Sequence, residues 1–574
     1  MQAVILAAGQ SSRFYPFNIN LPHKSFLTIM GRPIIEHTLL SVKQSGITEV
    51  VMVISPDSSI KNYLGNGEKL GLHITYCTQK EPNGQGDALL SAKDHISSDF
   101  FLLHAHRVDF SEFKLDMERK YDQKNIVLLA KEEKELSQYG VLKVKADRVL
   151  DIVEKPKKGQ EPSRLRLIGI YLLNKDFLQE LSQTPAGHYN LETALANFAK
   201  MGRIRFVQTE KESYSLKYPW DVLKIKNYLL SKRDSYTSKS AKIAETADIE
   251  RNVFIDDHAV VMERACIKGP CYIGKHAIIG NHALLRDHSD IESGAKIGAY
   301  TEVKNSLIGS NTSIHSGFVG DSVIGDNGKI GGFFCVTNRR LDRKNIAVEI
   351  KGKKVDTYLS FLGALIGNGV KVGARVTTMP GVIIGNSAII GPSTTVRANV
   401  DEHTLYYTQF KEVIEKKRRE KLVLFDIDYT LFDTATFKQS NLQTYTLYEE
   451  VLDVLVELSK IAKLGIFSEG DKEFQNNKMS KTNIVKHFLS EHVHIVPNKE
   501  ETMKEVLIKY EHNQLFVVDD KLPFLNMIKQ YAPQVHTIWV KRGMYAESQK
   551  PIRGFKPYAI VENLKSILQI VTNT

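Results

Sequence analysis

The chain has 574 residues, 42% hydrophobic and 25% charged, a balance that excludes a disordered or fibrous polypeptide and exceeds what one hydrophobic core organises. Its 77 Lys and Arg against 66 Asp and Glu leave a formal charge of +11, which suits anionic partners such as nucleotides, sugar phosphates or nucleic acid. The four cysteines form no Cys-x-x-Cys pair, and neither a signal-type N-terminus nor an apolar run of about 18 residues appears, so a cytoplasmic protein with no membrane or nucleic-acid partner is expected.

From Met1 to about Leu230, short apolar runs (AVILAA, EVVMVIS, FFLLHA) alternate with helical patterns (PIIEHTLLSVKQSG, GDALLSAKDHI), which predicts a doubly wound α/β domain over residues 1–235. The run Phe100–His104 reads as a parallel strand buried on both faces. His104, Ala105, His106 and Asp109 should then lie beyond its carboxyl end, where ligands gather in such sheets. In LAAGQSSRFYPFNINLPHKSF a Gly/Ser-rich turn follows the first strand. Its backbone N–H groups can approach phosphates, and Arg13 and Lys24 can neutralise a triphosphate.

This turn, followed in order by GRPIIEHTL, QKEPNGQGDALLSA and VEKP, resembles the sugar-1-phosphate nucleotidyltransferase family over residues 1–230. The resemblance implies attack of a sugar 1-phosphate oxygen on the α-phosphorus of a nucleoside triphosphate, with release of pyrophosphate. It assigns Gly9 to the turn, Arg13 and Lys24 to the phosphates, Gln79 and Gly84 to the base, and Glu154 and Lys155 to the sugar phosphate. Three positions depart from the family. Lys24 follows His23 instead of a proline; His106 stands where a strand-end Asp holds magnesium; and the second metal-binding Asp or Asn falls at Ser215. Magnesium binds imidazole poorly, so a different metal, a shifted ligand such as Asp109, and a domain that binds a nucleotide sugar without making it are all open readings.

The second segment, residues 240–410, changes period. Ile243, Ile249, Ile255, Val261, Ile267, Ile273, Ile279, Leu285, Ile291, Ile297 and Val303 recur every six residues, and the spacing returns at Ile366, Val372, Thr378, Ile384, Ile390 and Val396. This predicts a hexapeptide-repeat β-helix interrupted by a basic excursion, Asn338–Gly363, that loops out of the coil. The stretch SIHSGFVGDSVIGDNGKIGG, with EIKGKKVDT and GVIIGNSAIIGPSTTV, resembles the acetyltransferase half of bifunctional uridylyltransferase/glucosamine-1-phosphate acetyltransferases, especially the archaeal type. That resemblance implies a left-handed coil, homotrimers, acetyl-CoA as acyl donor, His315 as the base, and Asn338 and Lys344 as positioning groups. Phe318 replaces a tyrosine of the pattern and Ala347 a lysine, which counts against acetyl transfer.

A basic run, Lys416–Lys421, reads as a solvated helix end before the third segment, residues 420–574. There LVLFDIDYTLF, IFSEG, PNKEE and LFVVDD resemble, in order, the four motifs of haloacid-dehalogenase-like phosphohydrolases. The resemblance implies Asp426 as nucleophile, Asp428 as acid and base, and Ser468 and Lys499 on the phosphoryl oxygens. Asp426, Asp519, Asp520 and the Asp428 carbonyl would surround Mg²⁺. The whole reads as a multidomain α/β and β-helix enzyme of activated-sugar metabolism, a nucleotidyltransferase with an acyltransferase-like coil and a phosphatase. The alternative is a trimeric scaffold that binds nucleotide sugars and keeps only the phosphatase active.

Overall fold

The alternating apolar runs of the first segment form a nine-stranded sheet. Gln2–Ala7 lies parallel between Glu49–Ile54 and Phe100–His104, pairing Leu6 with Val53 on one side and with His104 on the other. Its successive residues feed opposite faces: Val4 and Leu6 enter one core, Ala3, Ile5 and Ala7 the other. The chain thus leaves the sheet after Ala7 at a point flanked by neighbours on both sides, where a crevice opens beyond the strand ends.

The computed structural model describes residues 1–19, 21–414 and 419–574, and the chain divides into two units, Met1–Phe410 and Lys411–Thr574. Lys416, Lys417 and Arg418 of the basic run lie outside the described residues. Among the described residues no helix is long and apolar enough to cross a membrane.

The six-residue repeat builds three parallel sheets of eight, nine and eight short strands, with the predicted aliphatics from Ile255 onward in one continuous core. Equivalent strands pair Ile255 with Ile273 and Ile273 with Ile291. Contrary to expectation, the coil does not pause after Val303. Ile308, Ile314, Val319, Ile324, Ile330 and Val336 continue the same core. Some steps here are five residues long, so Ile291 pairs with Ile308 and Val303 with Val319. The shortened corners hide these turns from a strict six-residue pattern. The Asn338–Gly363 excursion also differs from a simple loop: Ala347–Ile350 and Lys353–Asp356 form a hairpin, with Ile346, Val348 and Ile350 buried.

Within this unit, the two sequence segments share a core. Phe14, Phe17, Trp220 and Leu223 from the first pack with Tyr272, Leu307, Val323 and Ile383 from the second. Met30 N–H donates to Asp290 and Gly31 N–H to Glu292 across that boundary. At Gly31, φ is +73° and a Cβ would lie 2.5 Å from the Tyr272 hydroxyl, so the docking turn needs glycine.

The second unit is a six-stranded parallel sheet in the order Val493–Val496, Lys463–Glu469, Lys421–Phe425, Gln514–Asp519, His536–Val540, Ala559–Val561. Lys421–Phe425 occupies the switch position, so Asp426, the end of Lys463–Glu469 and the end of Gln514–Asp519 converge at one sheet edge.

Candidate functional sites

At the crevice beyond Ala7 a cavity of about 580 Å³ is lined by Gly9, Arg13, Lys24, Gln79, Gly84, Glu154 and Lys155. Seven residues chosen from three separate motifs therefore meet in one space. Gln79 is held by its amide, which donates to Gly84 O at 3.0 Å and to Asp87 at 2.7 Å. Lys155 lies 3.4 Å from Glu154. The cavity also takes in Lys217, His188 and Glu192, which the motif reading missed. For Lys217 the signal was its place immediately before the YPW stretch and two residues after Ser215. Glu192 Oε2 is buried without a partner, and its carboxyl is raised by burial first and then by Glu154.

His104 and His106 both line this cavity, their rings stacked 5.4 Å apart. Burial, with Lys24 next, lowers His104 to about 3 and drives His106 well below the ordinary imidazole range; burial lowers His23 to about 3 as well. All three are neutral imidazoles at pH 7. Ser215 does not line the cavity. Nor does Asp109. It is completely buried in an ion pair with Arg107 at 2.8 Å and accepts the Tyr214 N–H at 3.0 Å. Asp109 is thus committed to holding a loop, which removes the shifted-ligand reading, and Ala105 is buried away from the space.

On the coil, His315 is exposed and lines a groove of about 690 Å³ together with Asn281, Lys296, Ser313, Lys329 and Gly332. Asn338 and Lys344 do not line it. The Asn338 amide donates to Asp321 at 2.6 Å, and Lys344 is exposed with its N–H on Asp342. The three residues assigned to acetyl transfer are therefore not gathered into one pocket of a single chain. Phe318 is half-buried, its ring against Gly320, and Ala347 opens the exposed edge of the hairpin.

In the second unit, Asp426, Asp519 and Asp520 bring carboxylate oxygens within 4.8 Å of one another, the only group of at least three His, Cys, Asp or Glu so arranged among the described residues. Lys499 bridges Asp426 and Asp519 at 2.5 Å each. Although burial works against it, those two carboxylates raise the Lys499 ammonium. Burial pushes the Asp426 carboxyl up to about 6 with Asp519 adding to it, and burial followed by Asp519 pushes Asp520 up to about 8. One lysine does not offset three carboxylates out of water, and this surplus negative charge on hard oxygen donors fits a Mg²⁺ ion.

Ser468 is fully buried beside this cluster and its hydroxyl receives the Ile427 N–H at 3.4 Å. Asp428 carries its charge in the free site. Burial alone would raise its carboxyl, but Lys478 at 2.7 Å, with Thr434 at 2.6 Å and Gln475 at 2.7 Å, outweighs burial and keeps it below the usual range. Lys478, buried over the Phe474 ring at 4.8 Å, went unmarked by the motifs because the helix Lys472–Lys481 that carries it follows the second motif. Asp426, Asp428, Lys478 and Asp520 line a cavity of about 530 Å³ with Tyr429, Phe437, Glu469, Lys521 and Tyr545.

A family model described as nucleotidyl transferase matches residues 2–214, and one described as bacterial transferase hexapeptide (six repeats) matches residues 363–398. The chain is 34% identical over 424 residues to the bifunctional protein GlmU of Methanococcus maripaludis strain S2, spanning 73% of this chain and 100% of that protein. It is 31% identical over 421 residues to the bifunctional protein GlmU of Methanocaldococcus jannaschii, spanning 72% and 100%. A bifunctional sugar-1-phosphate nucleotidylyltransferase/acetyltransferase of Sulfurisphaera tokodaii is 32% identical over 406 residues, spanning 70% and 98%.

Proposed function

The chain belongs to the family of bifunctional sugar-1-phosphate nucleotidylyltransferase/acetyltransferase proteins, and on that premise we propose that its first site joins a nucleoside triphosphate to a sugar 1-phosphate while its second unit removes phosphate from a separate ester. The observation that carries the first activity is the single cavity shared by the turn at Gly9, Arg13, Lys24, Gln79, Gly84, Glu154 and Lys155. Gln79 and Gly84 take the base, Arg13 and Lys24 hold the polyphosphate, and Lys155 orients the sugar phosphate. Its oxygen then attacks the α-phosphorus as pyrophosphate leaves. Glu154 and Glu192, acceptors on the Lys155 side, suit sugar hydroxyls.

The cluster Asp426, Asp519 and Asp520 supports the phosphatase. There the Asp426 carboxylate attacks phosphorus, expels the alcohol and forms an aspartyl phosphate that water cleaves. Ser468 and Lys499 hold phosphoryl oxygens, and Asp428, with Lys478 beside it, manages the proton. Mg²⁺ bound to the three carboxylates would neutralise the phosphate's charge. Two short helices, Thr434–Gln439 and Val451–Leu458, separate the Asp428 loop from the strand Lys463–Glu469. A cover that small leaves room for a bulky phosphoester.

The same reading includes homotrimers assembled through the coil, visible as a threefold mass in light scattering. A panel of triphosphates and sugar 1-phosphates tests the first activity. One pair should yield pyrophosphate and a nucleotide sugar, and Lys155→Met should raise KM for the sugar phosphate. Absence of product from every pair would overturn it.

A further inference from the structure

The polyphosphate end of the first cavity holds cations where the family places a metal. Around Lys24 the lining groups are Arg13, Lys217 and the neutral imidazoles of His23, His104 and His106. The cavity's carboxylates, Glu154 and Glu192, lie on the Lys155 side; neither is among the charges that shift Lys24, whereas Arg13, Asp221 and Lys217 are. Asp221 is the one acid among those charges, and it is already used. Its Oδ2 accepts the N–H groups of Lys217 at 2.7 Å and Tyr218 at 2.8 Å, it does not line the cavity, and burial raises its carboxyl. With Asp109 tied to Arg107, no hard anionic oxygen is left at the Lys24 end of the cavity to hold Mg²⁺ against a phosphate. The donor set does not fit that ion.

What is present instead is a built anion site. Asp221 pins the backbone of Lys217, and the Lys217 side chain crosses the Tyr139 ring at 5.0 Å to donate one proton to Gln138 O at 3.0 Å. Two ammonium protons are left for a ligand. Lys24 lines the same cavity and is desolvated there. His106 Nδ1 is buried with no partner. A neutral imidazole in that position can donate to a phosphate oxygen without adding charge. Next to it, a Cβ at Gly169 would stand 2.8 Å from His104 Cδ2, so glycine there is what admits the stacked pair.

We infer that this site holds the polyphosphate of its nucleotide directly on Arg13, Lys24, Lys217 and His106, with no divalent cation held by the protein. The inference rests on the nucleotidyltransferase reading and specifies its ligand as an uncomplexed nucleoside polyphosphate. Lys217 is the substitute for the metal. An ammonium is a compact point charge that screens phosphate oxygens much as a cation does, without needing carboxylates to retain it.

Calorimetric titration of the full chain with each common nucleoside triphosphate, in EDTA and in excess Mg²⁺, tests this. At least one triphosphate should bind in EDTA with an affinity within about threefold of that in Mg²⁺, and Lys217→Met should weaken it about tenfold or more, a cost of about 1.4 kcal/mol. The change His106→Asp, which puts a carboxylate on the cavity wall, should reverse the pattern, so that binding becomes weak in EDTA and is restored by Mg²⁺. Binding of the natural protein only when Mg²⁺ or Mn²⁺ is present would overturn the inference while leaving the nucleotide reading intact. Unchanged affinity in folded Lys217→Met would also overturn it. Failure of every triphosphate in both buffers would overturn the inference and the nucleotide reading together.

Discussion

Asp520→Asn should stabilise the second unit when metal is withheld and should abolish its stabilisation by Mg²⁺. Burial, then Asp519 and Asp426, pushes the Asp520 carboxyl up to about 8. The folded unit therefore retains a proton that the unfolded chain releases near pH 4. Such a group favours folding at low pH, and that contribution is lost progressively as pH rises from about 4 to about 8. At about 1.4 kcal/mol per pH unit, the roughly three units between pH 4 and pH 7 correspond to about 4 kcal/mol at most. An amide of the same shape has no charge to desolvate and recovers that loss. At pH 5 the recovery should shrink to about 1.4 kcal/mol. The two tryptophans lie one in each unit, Trp220 and Trp539, so urea unfolding followed by Trp539 fluorescence in a Trp220→Phe background reports the second unit alone. Mg²⁺ should raise the midpoint of the protein with Asp520 and leave that of Asp520→Asn in place. A variant less stable than its parent at pH 7 in EDTA, or an equal response to Mg²⁺ in both, would refute the charge-surplus reasoning.

The first cavity carries a pH dependence. Burial first, then Arg13, lowers Lys24 and Lys217 to about 8; both ammoniums are lost as pH rises through that value, so triphosphate affinity should drop about tenfold or more between pH 7 and pH 9 in calorimetry. Within the first unit, Lys226 is wholly buried, donates to His288 O, and is the cation that counters Asp290, whose carboxyl burial pushes up to about 7. Lys226→Met should therefore cost about 3 kcal/mol in unfolding followed by Trp220, whereas Glu292→Gln, at a carboxyl that burial raises well above its usual range, should change stability by under about 1 kcal/mol.

Much of this architecture could be read from residue order, because its signals are local. Apolar runs at Ala3–Ala7 and Phe100–Leu103 are strands because their residues enter cores on both faces, and the six-residue recurrence from Ile255 to Val303 is the coil's inner row. The period disappeared where corners lost a residue, at Ile308 and Val319, although the inner row continued. Composition gave no hint that Phe14 and Trp220 pack on Tyr272 and Ile383, since that core joins residues distant in the chain. The same limit governs the sites. Arg13, Gln79 and Lys155 lie in motifs and meet as expected, but Lys217 and Lys478 were passed over because a lone lysine on a turn or helix resembles surface charge until its surroundings are known. Asp109 stood open as a shifted ligand, because the residue order does not reveal that Arg107 turns back to neutralise it. Asp428 stands at its motif position, while the lysine that keeps it ionised comes from a helix that no motif marked.

Two different phosphorus chemistries are proposed for one chain, and ³¹P NMR of a single reaction reads both. Purified protein would be incubated with Mg²⁺, its triphosphate, the matching sugar 1-phosphate and a phosphatase substrate found by screening. The natural protein should produce the paired resonances of a nucleotide sugar with equimolar pyrophosphate, and inorganic phosphate besides. Asp426→Asn should form the nucleotide sugar and pyrophosphate at an unchanged rate and release no inorganic phosphate. A spectrum without nucleotide-sugar resonances from either protein, or inorganic phosphate released equally by both, would contradict the account.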